Sequence, residues 1–160
     1  MREKMTGTFS VEVLRKGVEE RDIDAINSLV AQLLGKVKKG NKRSSQNRRT
    51  VTLLQEVAAI MVVRNGGSIV GLGIFSEKPT LTHKVGWIDD LVVDENFRRR
   101  GVGEALIKAM IEAGKDRGLE RLNCTCRPEK VPANNLCLKV GFKFIGTING
   151  TNFHTFEYGS

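Results

Sequence analysis

The chain has 160 residues, a formal net charge of +8, three cysteines and two histidines. Its length fits a single domain, residues 1–160, with enough chain to bury a sizeable core. No apolar run reaches membrane-spanning length, and Met1 to Ser10 lacks the apolar stretch of a secretion signal; a soluble, cytoplasmic protein without membrane partners is expected.

Phe9, Val11 and Val13 alternate with polar residues and predict a half-buried first strand, Phe9 to Arg15. Asp22 and Asp24 open an amphipathic helix with Ile23, Ile26, Leu29, Val30, Leu33 and Leu34 on its stripe, and Gly35 stops it. Acidic residues in a first turn suit the helix dipole. A basic loop follows. Lys36, Lys38, Lys39, Lys42, Arg43, Arg48 and Arg49 place seven positive charges in residues 36–49, where no acidic residue occurs. Removing those seven from +8 leaves +1. The loop reads either as a solvated segment or as an attractor of something anionic, whether phosphates, an acidic substrate or nucleic acid. It has no interleaved aromatic residues, so base stacking on it is not supported. Val51, Leu54 and Val57 suggest a short second helix. Ala58 to Arg64 and Ser68 to Phe75 are β-rich runs around the hairpin signal Asn65-Gly66-Gly67. A loop containing Pro79 precedes a strand from Val85 to Val93.

The rest of the chain is organised around what comes next. A polar turn ends in Arg98-Arg99-Arg100-Gly101-Val102-Gly103. Val102, Ala105, Leu106, Ala109, Met110 and Ala113 then recur at helical spacing up to about Gly118. A helix N-terminus leaves backbone N–H groups without partners and carries partial positive charge. Glycines let an anion approach that backbone, and arginines add full charges, so strand, turn and helix together make a phosphate cradle. Neither the dinucleotide fingerprint nor the P-loop pattern is present.

Leu119 to Cys126 reads as a further strand, and Pro128 and Pro132 punctuate a loop. Ala133 to Val140 is a short helix, and Phe142 to Ile148 and Thr151 to Tyr158 are strands joined at Asn149-Gly150. The order β-α-α-β-β-β-α-β-α-β-β predicts an α/β fold: a mixed, mostly antiparallel central sheet flanked by helices. Cys124 and Cys126 are expected on opposite faces of their strand. With Cys137 as an odd third and no paired C-x-x-C, neither a disulfide framework nor a metal site is expected.

Arg98-x-x-Gly101-x-Gly103 after a strand resembles the Q/R-x-x-G-x-G/A signature of the GNAT superfamily of N-acetyltransferases. The element order is similar to that family's from about residue 9 to 158. A second motif, N-x-x-A-x-x-L-Y-x-x-x-G-F, is matched by Ala133, Leu136, Gly141 and Phe142, while Lys130 replaces its asparagine and Cys137 its tyrosine. The resemblance implies that acetyl-coenzyme A is the cosubstrate. Arg98, Arg99, Arg100, Gly101, Val102 and Gly103 would hold its pyrophosphate, Leu91 and Val93 its extended arm, and Asn134 would also line its site. It further implies acetyl transfer to a primary amine, on a small molecule or a protein, with a homodimer as a further possibility for the assembly.

That reaction needs a base, because an alkylamine is mostly protonated at pH 7. Asp89 and Asp90 are the candidates; an acidic pair there is similar to spermidine/spermine and glucosamine-phosphate acetyltransferases. Cys137, at the tyrosine's place, is the candidate acid for the departing thiolate. His83 and His154 read as structural or substrate-adjacent. Two rival functions stand beside it: a coenzyme A-binding regulatory module without catalysis, suggested by Cys137 and Lys130, and a basic nucleic-acid-binding domain, suggested by residues 36–49.

Overall fold

Seven strands form one sheet in the order β1-β2-β3-β4-β5-β7-β6, in a computed structural model that describes residues 9–35 and 47–159. The strands are β1 (Val11–Val13), β2 (Ala58–Asn65), β3 (Ser68–Pro79), β4 (Lys84–Val93), β5 (Arg121–Cys126), β6 (Lys143–Ile148) and β7 (Thr151–Glu157). The helices are α1 (Glu20–Leu34), α2 (Arg48–Val57), α3 (Val102–Asp116) and α4 (Val131–Lys139). Every strand pair is antiparallel except β4 with β5. The predicted element order holds throughout. At its margins it shifts: the first strand is three residues long, Arg48 and Arg49 lie in α2 rather than in a loop, and Pro132 sits in the first turn of α4. Proline fits there because a first-turn N–H has no acceptor to lose. Residues 36–46 of the basic stretch lie outside the described residues.

Alternation along the strands sorts the apolar side chains into two cores. Ile60, Val62, Ile69, Leu72, Ile74 and Val92 face Ile23, Ile26 and Leu29 of α1 and Val51 of α2. Met61, Val63, Val70, Phe75, Ile88, Leu122 and Cys124 face Leu106, Ile107 and Met110 of α3 and Cys137 of α4. Completely burying a side chain the size of Leu106 or Met110 stabilises by about 1.5–3 kcal/mol, so the sheet fixes α3 firmly. One partly buried ion pair crosses layers. Arg64 of β2 donates two hydrogen bonds to Asp22 of α1 (2.7 and 2.9 Å) and one to Glu12 (2.7 Å). Its hydrogen bonds lower the Asp22 pKa against the upward pull of burial, and its charge lowers it further.

Candidate active site

Between β4 and α3 the chain turns sharply. The Arg98 side chain donates from Nε to the Val93 carbonyl (3.2 Å), which folds it back over the strand end. The Arg100 guanidinium stacks 5.1 Å from the Phe97 ring centre. Arg99 and Gly101 both have positive φ, 60° and 89°. Such reversals turn neighbouring N–H groups toward one concave side, and an arginine held there stores strain of the kind that gathers at functional sites. Gly101 is the N-cap of α3 and brings no capping side chain. The first helical bond runs from Ala105 N–H to the Gly101 carbonyl (2.9 Å), so the N–H groups of Val102, Gly103 and Glu104 have no acceptor within the helix. A Cβ at Gly101 would meet nothing within 4 Å, whereas one at Gly103 would meet Leu136 Cδ2 at 3.2 Å and Val93 Cγ2 at 3.6 Å. The two glycines therefore differ in purpose: Gly101 permits the backbone turn, and Gly103 lets α3, α4 and the end of β4 approach one another.

The strand leading into this turn is bulged and half free. Between β3 and β4 the register moves from Leu72↔Val92 to Ile74↔Asp89, which leaves one extra residue on β4. Asp90 is that region's left-handed residue, with φ 48°. Bulges of this kind redirect side chains. On its other edge β4 pairs with β5 only from Val85 to Ile88, against Arg121 to Cys124. From Asp89 to Val93 that edge has no β5 partner, so its N–H and C=O groups are available to an extended ligand. Leu91 and Val93 are half-buried on the α3 side of this edge. Asp89 accepts a hydrogen bond from Ser76 (3.2 Å). Desolvation by the surrounding strands, then the charge of Asp89, raises the Asp90 pKa. Two adjacent carboxyl-bearing residues thus follow directly on the last residue of β4 that pairs with β5, Ile88.

A cradle of free N–H groups and arginines at one end of an unpaired strand edge coincides with a family match. The sequence profile of the acetyltransferase (GNAT) family fits residues 32–142, more than half of the chain. The chain belongs to that family. An N-alpha-acetyltransferase of Sulfurisphaera tokodaii is 33% identical over 96 residues, which are 54% of this chain and 57% of that protein. The chain spans about half the length of the curated relatives it matches. Among solved structures, that of PH1933 from Pyrococcus horikoshii OT3 shares the GNAT fold with a TM-score of 0.80 at 19% identity, over 96% of this chain and 100% of that one. A GNAT acetyltransferase of Elizabethkingia anophelis, solved with acetyl-CoA bound, has a TM-score of 0.66 at 15% identity, over 94% and 98%.

The α4 side of the candidate site departs from what the sequence predicts. Cys124 and Cys126 do not face opposite ways. Residues two apart on a strand share a face, and both thiols meet that of Cys137, at 3.3 and 3.9 Å. His154 pairs directly with Cys124 across β5 and β7 and completes the group. Hydrogen bonds from Cys124 and Cys137 lower the pKa of the half-buried Cys126. Hydrogen bonding with Cys126 and then Cys137, with burial, raises Cys124. For Cys137 the bond with Cys124 pulls downward, but the bond with Cys126, burial and the charge of Cys126 outweigh it and raise the thiol. Asn134 donates to the carbonyls of Arg127 and Lys130 (both 2.9 Å) and accepts from Asn152 (3.0 Å), so both ends of its side chain are engaged within the protein. His83 is exposed and bonds to Glu120 (3.0 Å), on the far side of the strand start. The bulge and the thiol cluster were not read from the sequence. Two adjacent aspartates interrupting an apolar strand, and C-x-C at the end of another, are the signals that mark them.

Proposed function

We propose that this domain transfers an acetyl group from acetyl-coenzyme A to a primary amine. The observation that carries the reading is the cradle from Arg98 to Gly103 at the end of an unpaired strand edge. Pyrophosphate oxygens would take the N–H groups of α3 and the charges of Arg98, Arg99 and Arg100. The extended arm would add itself to β4 as a further strand through Leu91 and Val93. That delivers the thioester to the opening where β5 leaves β4, beside Asp89 and Asp90. The amine nitrogen attacks the acetyl carbon and the carbon–sulfur bond breaks. A strand N–H near the bulge meets the developing oxyanion. The amine's proton passes to Asp90, whose carboxyl is a stronger base than an ordinary carboxylate because desolvation and the charge of Asp89 raise its pKa, while Asp89 holds the cationic amine before deprotonation. Cys137 is almost fully buried among other sulfurs, so we assign the proton for the departing thiolate to water. Asn134 orients the start of α4 and is not assigned a contact with the coenzyme.

The test is release of free thiol from acetyl-coenzyme A across a panel of small amines and peptide N-termini, with coenzyme binding measured in parallel. Turnover with at least one amine is expected. Tight binding without turnover on any acceptor would instead mark a regulatory coenzyme A-binding module. Failure to bind the coenzyme would remove the reading altogether.

A further inference from the structure

We propose that Cys124, Cys126, Cys137 and His154 form a closed tetrahedral site for a soft divalent metal ion, Zn²⁺ before others, which pins α4 to the ends of β5 and β7. The inference does not depend on acetyl transfer. Its first ground is geometric. One donor atom from each of the four residues lies within 4.8 Å of every other. Thiolates on one tetrahedral zinc, each about 2.3 Å from the ion, stand about 3.8 Å apart. The Cys137 sulfur lies 3.3 Å from that of Cys124 and 3.9 Å from that of Cys126, which brackets that spacing. The backbone brings this about without strain at the four positions. Cys124 and His154 are cross-strand neighbours, Cys126 is two residues on along the same face, and Cys137 comes down from α4.

The second ground is independent. His154 is 2% exposed, and its Nδ1 is buried with no hydrogen-bond partner. A buried imidazole nitrogen normally finds a partner, since leaving it bare costs as much as an unmade hydrogen bond. A metal–nitrogen bond, or a metal that fixes the other ring nitrogen and so the tautomer, accounts for it. A disulfide between two of the cysteines would leave the third thiol and the imidazole unexplained. Donor chemistry narrows the ion further. Three sulfurs and an imidazole without a carboxylate suit zinc or cuprous copper and not magnesium or calcium. Three of the four residues are buried, which is the closed arrangement of structural zinc rather than the open one of catalytic zinc.

The third ground is mechanical. Cys137 is the only buried residue of the nine in α4. Besides Cys137, the half-buried Leu136 packs on the core, and a metal bond through Cys137 would add a second, directional anchor. Binding would send the thiol protons to solvent, three sulfurs ending as thiolates around the ion. Cys137 would then hold no proton to give, in keeping with water as the proton source.

The experiment uses the whole chain, purified under reducing conditions without added chelator. Plasma mass spectrometry should find about one zinc per chain. After removal with a chelator under reductant, titration with Co²⁺ should produce the visible bands of tetrahedral cobalt and a thiolate charge-transfer band, and Zn²⁺ should abolish both. Cys126→Ser should weaken Zn²⁺ binding at least tenfold; because Cys126 is the most exposed of the four, this variant is the one expected to fold. The wild-type cobalt spectrum needs no variant and decides the matter if it does not. Reduced wild-type protein that takes up neither ion, or a cobalt spectrum lacking thiolate character, overturns the site. So does a disulfide within the cluster that persists in metal-free protein and, once reduced, confers no metal uptake.

Discussion

At Gly101 one residue decides whether the cradle can form. Its φ of 89° lies where an L side chain costs about 1–2 kcal/mol, and a β-branched side chain is an outlier there. Open space around the position means that a substituent would meet no protein atom, and on the proposed binding mode it would stand in the way of the phosphates. Gly101→Val should therefore weaken acetyl-coenzyme A binding at least tenfold, about 1.4 kcal/mol. Calorimetry on a variant shown to be folded checks it, and unchanged affinity would move the phosphate site elsewhere. Asp90 can be tested by its pH dependence. Its carboxyl is raised first by desolvation and second by the charge of Asp89. A base works only when deprotonated, so the acid limb of the kcat/KM profile should follow that raised pKa. Asp89→Asn removes the negative neighbour, which lowers the Asp90 pKa and moves the limb toward lower pH. Asp90→Asn should cut kcat by roughly 10²–10⁴ and erase the limb. A limb that ignores both substitutions would assign the proton to a water chain.

Among the elements, Asp22 and Arg64, whose side chains are 8% and 26% exposed, add a polar tie to the apolar contact between α1 and the β2–β3 hairpin. Arg64→Met leaves a buried carboxylate without its partner and should cost about 2–3 kcal/mol at pH 7, measured by denaturant unfolding. Because the folded-state pKa of Asp22 is depressed, the stability it contributes is present above the unfolded value, about 3.9, and is lost as pH falls through the folded one. The acid-side loss should accordingly be smaller in Asp22→Asn than in the wild type, and the cost of Arg64→Met should shrink as pH falls. Equal costs at pH 7 and pH 3 would show the pair to be idle. The elements themselves were legible because each carries its period: Ile23, Ile26 and Leu29 at helical spacing, or Gly66-Gly67 between two β runs. The signature turn was legible for the same reason, its glycines and arginines being local in sequence. What escaped was non-local. The bulge at Asp90 exists only in the register between β3 and β4, and the thiol cluster needs β5, α4 and β7 at once. The two thiols of C-x-C share a face by strand geometry alone, so that much was readable.

For the molecule as a whole, the end of α1 that precedes the basic stretch in sequence touches the turn before the proposed site. Gln32, in the last turn of α1, accepts a hydrogen bond from the Glu95 N–H (2.9 Å) and donates to Asp94 (3.4 Å), both in the turn that leads to the cradle. The basic residues 36–49 thus begin four residues from a side chain that touches this turn. Two unit charges 10 Å apart in water interact by about 0.4 kcal/mol, and a Debye length of about 8 Å at physiological ionic strength reduces even that. Contact charges at Arg98, Arg99 and Arg100 should therefore dominate affinity for the coenzyme, with the basic residues adding a smaller, screenable attraction. Replacing Lys36, Lys38 and Lys39 together with glutamine should weaken acetyl-coenzyme A binding several-fold at about 10 mM salt, where the Debye length is about 30 Å. The difference should fade toward physiological salt, and the slope of log affinity against log salt should become shallower. Binding measured over that salt range for both proteins decides the point. A variant with wild-type affinity even at low salt would leave these charges no part in coenzyme binding, and a tenfold loss persisting at physiological salt would require direct contact with the phosphates.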